Sequence, residues 1–134
     1  MKVFLGGTWN ESKWREELIP MLEVDYFNPV VDDWNEKCMT KEIEERENAD
    51  VCLYCITPKM TGVYSIAEVV DDSNKKPEKT ILVLIESEGN LKFDKGQWKS
   101  LVSVAKMVVA NGANVSYSLK TAAIKINSRG KIKW

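Results

Sequence analysis

Apolar and polar positions fall into alternating blocks along the 134 residues. Short apolar runs suited to strands are followed by stretches in which apolar residues recur every three or four positions, as on a helix. Lys2 to Leu5 is the first run, and Gly6-Gly7 closes it, which predicts a strand and a turn. Trp14, Leu18, Ile19 and Leu22 then recur at helical spacing, with Asn10 as a candidate N-cap. Val24 to Phe27 predicts a second strand that ends at Asn28-Pro29. Met39 to Asn48 predicts a charged helix whose apolar anchors are Met39 and Ile43. Val51 to Ile56 is a continuous apolar run before Thr57-Pro58 and suits a central strand covered on both faces. Gly62 to Ser73 predicts a helix with Val63, Ile66, Ala67 and Val70 on its apolar face, and Thr80 to Ile85 another buried strand. Asp94 with Gln97 has the form of a capping box. The helix after it carries Trp98, Leu101, Val102, Ala105, Val108 and Val109 and stops at Gly112. Val115 to Tyr117 predicts a fifth strand and Ala122 to Ile126 a final edge strand.

This strand-helix alternation predicts a single α/β domain over residues 1–134, with a parallel sheet and helices on both faces. Right-handed crossovers leave few topologies, and a flavodoxin-like five-stranded order, 2-1-3-4-5, is the simplest. Ligands of such sheets bind at the carboxyl ends of the strands beside the switch in strand order. The loops to watch are therefore residues 6–10, 28–35 and 57–68.

Composition narrows the function. Hydrophobic residues make up 44% of the chain, enough for a packed core and against disorder. Net charge is −1, so a nucleic-acid polymer is not the expected partner. Only the tail is basic, with Lys125, Arg129, Lys131 and Lys133, which reads as a solvated end or a phosphate contact. Histidine is absent, which removes the commonest metal ligand and general base and rules out a Ser-His-Asp triad. Cys52 and Cys55 have the spacing of a redox pair, but within a strand residues three apart point to opposite faces, so these and Cys38 read as core or near-core thiols. The apolar part of the amino terminus is too short for a signal peptide, and no run reaches the roughly 20 apolar residues of a membrane span. The expectation is a soluble cytoplasmic protein that does not engage membranes.

Several residues can carry chemistry. Gly6 and Gly7 allow close approach of backbone to a ligand, though a tight turn needs glycine as well. They match neither the dinucleotide fingerprint nor a phosphate loop, so dehydrogenase and kinase readings lack support. Trp9 and Trp34 lie in loops, where an indole either stacks on a flat heterocycle or folds back on the core. Residues 32–36 gather Asp32, Asp33 and Glu36 around Trp34, a cluster suited to sugar hydroxyls or to an acidic surface loop. Glu68 lies opposite the Val63/Ile66/Val70 stripe, beside Tyr64 and Asp71, which fits a solvated side chain. Helical side chains lean toward the amino terminus, however, so Glu68 can also reach the loops where a ligand sits. Glu42 belongs to a charged run, and spacing does not single it out.

Three segments in order resemble the nucleoside 2-deoxyribosyltransferase family. They are Lys2-Val-Phe-Leu-Gly-Gly-Thr-Trp9, Ala49-Asp-Val-Cys-Leu-Tyr54 before Thr57-Pro58, and Gly62-Val-Tyr-Ser-Ile-Ala-Glu68. The resemblance covers roughly residues 2–86. It implies a flavodoxin-like fold, a homo-oligomer, a small-molecule nucleoside or nucleotide as partner, no cofactor, and Glu68 as a nucleophile that attacks the anomeric carbon. It places a further acid at Glu42, where the family has an aspartate, for positioning or proton traffic. Gly6, Gly7, Trp9, Asp33, Trp34, Gly62 and Tyr64 are then expected to shape the base and sugar pocket. A second family aspartate, between the third strand and the nucleophile, has no counterpart: residues 57–63 hold no acid, only Lys59, and Asp33 is the candidate substitute. The family also borrows an asparagine from a neighbouring subunit, for which Asn111, Asn114 and Asn127 are candidates. The expected activity is transfer or hydrolysis at the N-glycosidic bond through a glycosyl-glutamate. The alternatives are a nucleoside 5′-monophosphate N-glycosidase, with Lys59 or the tail on the phosphate, and an idle nucleotide-binding module.

Overall fold

The computed structural model describes residues 1–31 and 35–131. The main sheet holds β1 (Lys2–Gly7), β2 (Asp25–Phe27), β3 (Val51–Ile56), β4 (Thr80–Leu84) and β7 (Asn114–Ser116), in the order β2-β1-β3-β4-β7. Every pairing in it is parallel. This is the 2-1-3-4-5 flavodoxin-like order the alternation predicts. The helices are α1 (Trp14–Leu18), α2 (Glu36–Asn48), α3 (Tyr64–Lys75), α4 (Lys95–Ala110) and α5 (Leu119–Lys131).

The pleat sorts the strand residues into two cores. Val3, Leu5, Val51, Leu53, Cys55, Ile81 and Val83 face α1 and α5. Phe4, Cys52, Tyr54, Ile56, Leu82 and Leu84 face α3 and α4. All six residues of β3 are buried, as a strand covered on both sides requires. Cys52 and Cys55 lie in opposite cores, which removes the redox reading of their spacing, while Cys38 is only half-buried. The Asp94/Gln97 capping box opens α4 as predicted.

Three local expectations are corrected, and one element is added. Residues 122–126 are not a strand but the middle of α5. Leu119, Ala122, Ala123 and Ile126 are buried at helical spacing, and the Ser118 hydroxyl accepts from the Thr121 N–H at the helix start. Asn10 does not cap α1. It and Glu11 have positive φ, and the Asn10 amide donates instead to the Lys59 carbonyl at 2.9 Å. A short antiparallel hairpin of β5 (Ser87–Glu88) and β6 (Leu91–Lys92), which the apolar pattern does not predict, turns at Gly89 with φ +59°. On α3 the buried residues are Val69, Asp72 and Ser73, with Ile66 and Val70 against the core, whereas Val63 and Ala67 are exposed.

The charged helix α2 is attached differently from its expected anchors. Met39 and Ile43 are both exposed, Ile43 at 59%. Polar contacts hold the helix instead. Glu45 pairs with Lys2 at 2.8 Å, the Lys76 ammonium donates to the Arg46 carbonyl at 2.8 Å, and the Arg46 side chain reaches into the sheet. No helix among the described residues is long and apolar enough to cross a membrane.

Candidate active site

The carboxyl ends of β1 and β3 meet beside the switch in strand order, and two glycine-dependent contacts let them meet closely. Gly7 has φ +122°, and a Cβ there would lie 2.1 Å from the Cys55 carbonyl oxygen. Gly6 faces the other way, with its missing side chain replaced by the Tyr54 ring. Past Gly7, the Thr8 N–H donates to the Cys55 carbonyl at 2.9 Å, and the Thr57 N–H donates to the Thr8 hydroxyl at 3.0 Å. These bonds lace the two strand ends into one floor.

Arg15 braces the same turn from beneath. Its guanidinium is buried, lies over the Trp14 ring at 4.3 Å, and donates to the carbonyls of Leu5 at 3.0 and 3.1 Å and of Thr8 at 2.8 Å. The Trp14 indole donates to the Thr8 carbonyl as well, at 2.9 Å. Burial lowers the Arg15 pKa to about 10, which the nearby Cys55 and Glu42 oppose. The hairpin closes the outer side: Glu88 accepts from the Ser12 hydroxyl at 2.7 Å and the Lys13 N–H at 2.8 Å.

Above this floor lies a cleft of about 390 Å³, a volume suited to a small ligand. Gly7, Trp9, Glu42, Gly62, Tyr64 and Glu68 line it, together with Thr8, Asn10, Ile56, Met60, Thr61 and Ser65. Six of the residues singled out from sequence thus come together from four separate segments. Gly6 does not: it packs beneath, against Tyr54. Asp33 and Trp34 lie outside the described residues. Trp9 and Tyr64 stand at the lip, exposed at 37% and 74%, where an aromatic face is open to a flat ring. Asn111 and Asn127 are committed within the chain, to the Ser73 hydroxyl and to the backbone of residues 21 and 23. Lys59 donates to the Glu11 carbonyl at 3.3 Å.

Glu68 is not solvated. Its side chain is only 11% exposed, held between the cleft and α2. Burial pushes its carboxyl pKa up to about 7, since a desolvated carboxylate is costly. Arg46 opposes the rise from 3.6 Å, and the negative charges of Glu42 and Asp72 reinforce it. Folding therefore favours the protonated form. That benefit is complete below the ordinary glutamate value of 4.5 and is lost as pH rises through about 7. Glu68→Gln removes the penalty. Its melting temperature is expected to match wild type near about pH 4 and exceed it near about pH 8.

Sequence reading missed the group behind Glu68. The Arg46 Nε donates to the Tyr54 hydroxyl at 2.9 Å and lies 3.2 Å from Asp72 Oδ2, and a terminal nitrogen donates to Asp72 Oδ1 at 2.8 Å. The Tyr54 hydroxyl in turn donates to Asp72. Burial opposes the Arg46 charge, but its bonds to Asp72 outweigh that and raise its pKa. One signal was available: Glu42 and Arg46 are four apart on α2, as are Glu68 and Asp72 on α3, so each pair shares a helix face.

Comparison with known proteins agrees with the layout. A family model described as nucleoside 2-deoxyribosyltransferase like matches residues 1–87. No curated protein and no solved structure matches the chain. The matched span runs from β1 through β4 and includes every residue that lines the cleft, and this chain belongs to the nucleoside 2-deoxyribosyltransferase-like family.

Proposed function

We propose that the protein transfers or hydrolyses the N-glycosidic bond of a deoxynucleoside, with Glu68 as nucleophile and no cofactor. The observation that carries this is a desolvated carboxylate facing a nucleoside-sized cleft at the strand ends. A Glu68 oxygen attacks the anomeric carbon while the bond to the base breaks and the base leaves with the electron pair. Glu42, on the same cleft, is suited to move the proton the departing base needs. A second base or water then attacks the same carbon and gives its proton to Glu42, and the ester to Glu68 breaks with the electron pair returning to the carboxylate. The logic is that of a retaining glycosidase, in which one hard displacement becomes two easier ones through an oxocarbenium-like transition state. Trp9 and Tyr64 supply aromatic faces for the base, and Gly7 and Gly62 let backbone approach the ligand.

Exchange is the direct assay: a deoxynucleoside is incubated with a different free base and the new nucleoside is measured. Exchange, or base release to water, is expected; neither, across purine and pyrimidine substrates and their monophosphates, overturns the proposal. Because only the ionised carboxylate attacks, kcat/KM is expected to fall roughly tenfold per pH unit below about 7. A profile flat down to about pH 5 would contradict Glu68 as the attacking group.

One observation favours a 5′-monophosphate as the substrate. The amino end of α3 opens on the cleft and no side chain caps it; the Ile66 N–H donates to the Val63 carbonyl, which leaves the N–H groups of Tyr64 and Ser65 for an anion. Faster cleavage of the monophosphate than of its nucleoside supports that version, and equal rates refute it. The homo-oligomer and the cytoplasmic setting belong to the same proposal; sedimentation of the full chain checks the first.

A further inference from the structure

We propose that Arg46 is a positioning residue for Glu68, restrained by Asp72 and Tyr54 so that it neighbours the carboxylate without hydrogen-bonding to it; this rests on the reading of Glu68 as nucleophile. The distances separate two kinds of contact. Asp72 takes Arg46 side-on, with Nε at 3.2 Å and a terminal nitrogen at 2.8 Å, and the Tyr54 hydroxyl takes Nε at 2.9 Å. Asp71 adds a contact at 3.3 Å, and the Glu68 backbone carbonyl another at 3.4 Å. The Glu68 carboxylate itself stands 3.6 Å from Nε, close enough for ion pairing but outside a well-made hydrogen bond.

This arrangement answers two opposed demands on a nucleophilic carboxylate in a desolvated cleft. It needs a nearby cation to be ionised at all, and it needs lone pairs that are not already shared with a donor. Arg46 meets the first demand. The second is met because the two Asp72 oxygens and the Tyr54 oxygen occupy the guanidinium edge in a fixed fork. Gly6 contributes indirectly, since a Cβ there would lie 2.7 Å from the Tyr54 ring that carries the hydroxyl. Among the described residues, the charged and titratable groups around Glu68 are Arg46 and Glu42 from α2, Asp71 and Asp72 from α3, and Tyr54 from β3.

The test compares wild type, Glu68→Gln, Arg46→Met and Asp72→Asn as full chains. Base release from a 2′-deoxynucleoside is measured as kcat/KM from pH 5 to 9, with circular dichroism to verify folding. Loss of the cation in Arg46→Met is expected to move the acid limb up by about one pH unit or more, with activity recovering at alkaline pH. Asp72→Asn releases Arg46 onto Glu68 and is expected to move the limb down, with a lower plateau. A purely structural role lowers activity alike at every pH. Because Asp72→Asn also removes a negative charge near Glu68, Tyr54→Phe, which frees the Arg46 Nε without removing a charge, is run beside it and is expected to move the limb down as well. If Arg46→Met does not fold, the downward shift in Tyr54→Phe decides, and an unmoved limb there overturns the restraint. Glu68→Gln inactive but the limb unmoved in folded Arg46→Met or Asp72→Asn overturns this proposal alone. Wild-type release that survives Glu68→Gln overturns the nucleophile reading, and this inference with it.

Discussion

Replacement of Glu68 by glutamine is expected to lower base release and exchange by roughly 10³-fold or more, while the protein stays folded. Glutamine has nearly the shape of the acid, so the cleft and the contacts of α3 are kept. What is lost is the largely buried carboxylate on the cleft that the proposal makes the nucleophile. A glutamine amide cannot form the glycosyl ester, and Asp72 behind it is buried and bound on both oxygens by Arg46. Binding is expected to persist, since Trp9, Tyr64 and the backbone of residues 7 and 62 are untouched. Equilibrium binding of a deoxynucleoside to the inactive variant, beside a rate measurement, checks both halves. Retained turnover would move the chemistry to another carboxylate, and an unaltered binder with no wild-type turnover would mark an idle module.

The largest expected effect on stability comes from Gly7→Ala. The added Cβ meets the Cys55 carbonyl oxygen at 2.1 Å and the Cys55 nitrogen at 2.7 Å, both backbone atoms of the central strand. Neither can move without opening the β1–β3 pairing, which ends at Gly7 opposite Cys55. The φ of +122° adds strain that alanine cannot relieve in place. Separation of the strand ends also costs the Thr8 and Thr57 bonds and the Arg15 brace. The expected loss is about 4 kcal/mol or more, near the top of the range for single substitutions. Urea unfolding of the variant measures it, and a loss below about 1 kcal/mol would contradict the close approach.

The sheet was legible because its residues obey one rule at a time. β3 and β4 are buried on both faces and read as unbroken apolar runs, while the helices between them read as periodic ones. α5 was misread because Ala122, Ala123 and Ile126 form a short cluster that resembles a strand. Only Leu119, one turn earlier, gives the helical period away. α2 carries no such period, because an ion-pair network rather than an apolar stripe docks it. The cleft was legible through its backbone requirements and its aromatic residues: Gly7 has a forced conformation, and Trp9 sits in a loop at the lip. Glu68 stood out only through the ordered motif, since its spacing alone fitted a solvated face. Arg46, Asp72 and Tyr54 did not stand out at all. Their partners are 8 to 26 residues apart and lie on three different elements, so pairing them requires the packing of α2 and α3 against β3.

The central claim is that a sugar carbon becomes bonded to Glu68. Its most direct measurement is mass spectrometry of the full chain after brief reaction with a 2′-deoxynucleoside, acid quench and proteolysis. A deoxyribosyl increment on the peptide that holds Glu68, absent from the Glu68→Gln variant, is the predicted result. Base released with the sugar attached to a different carboxylate, or with no attached sugar under any quench time, would contradict it.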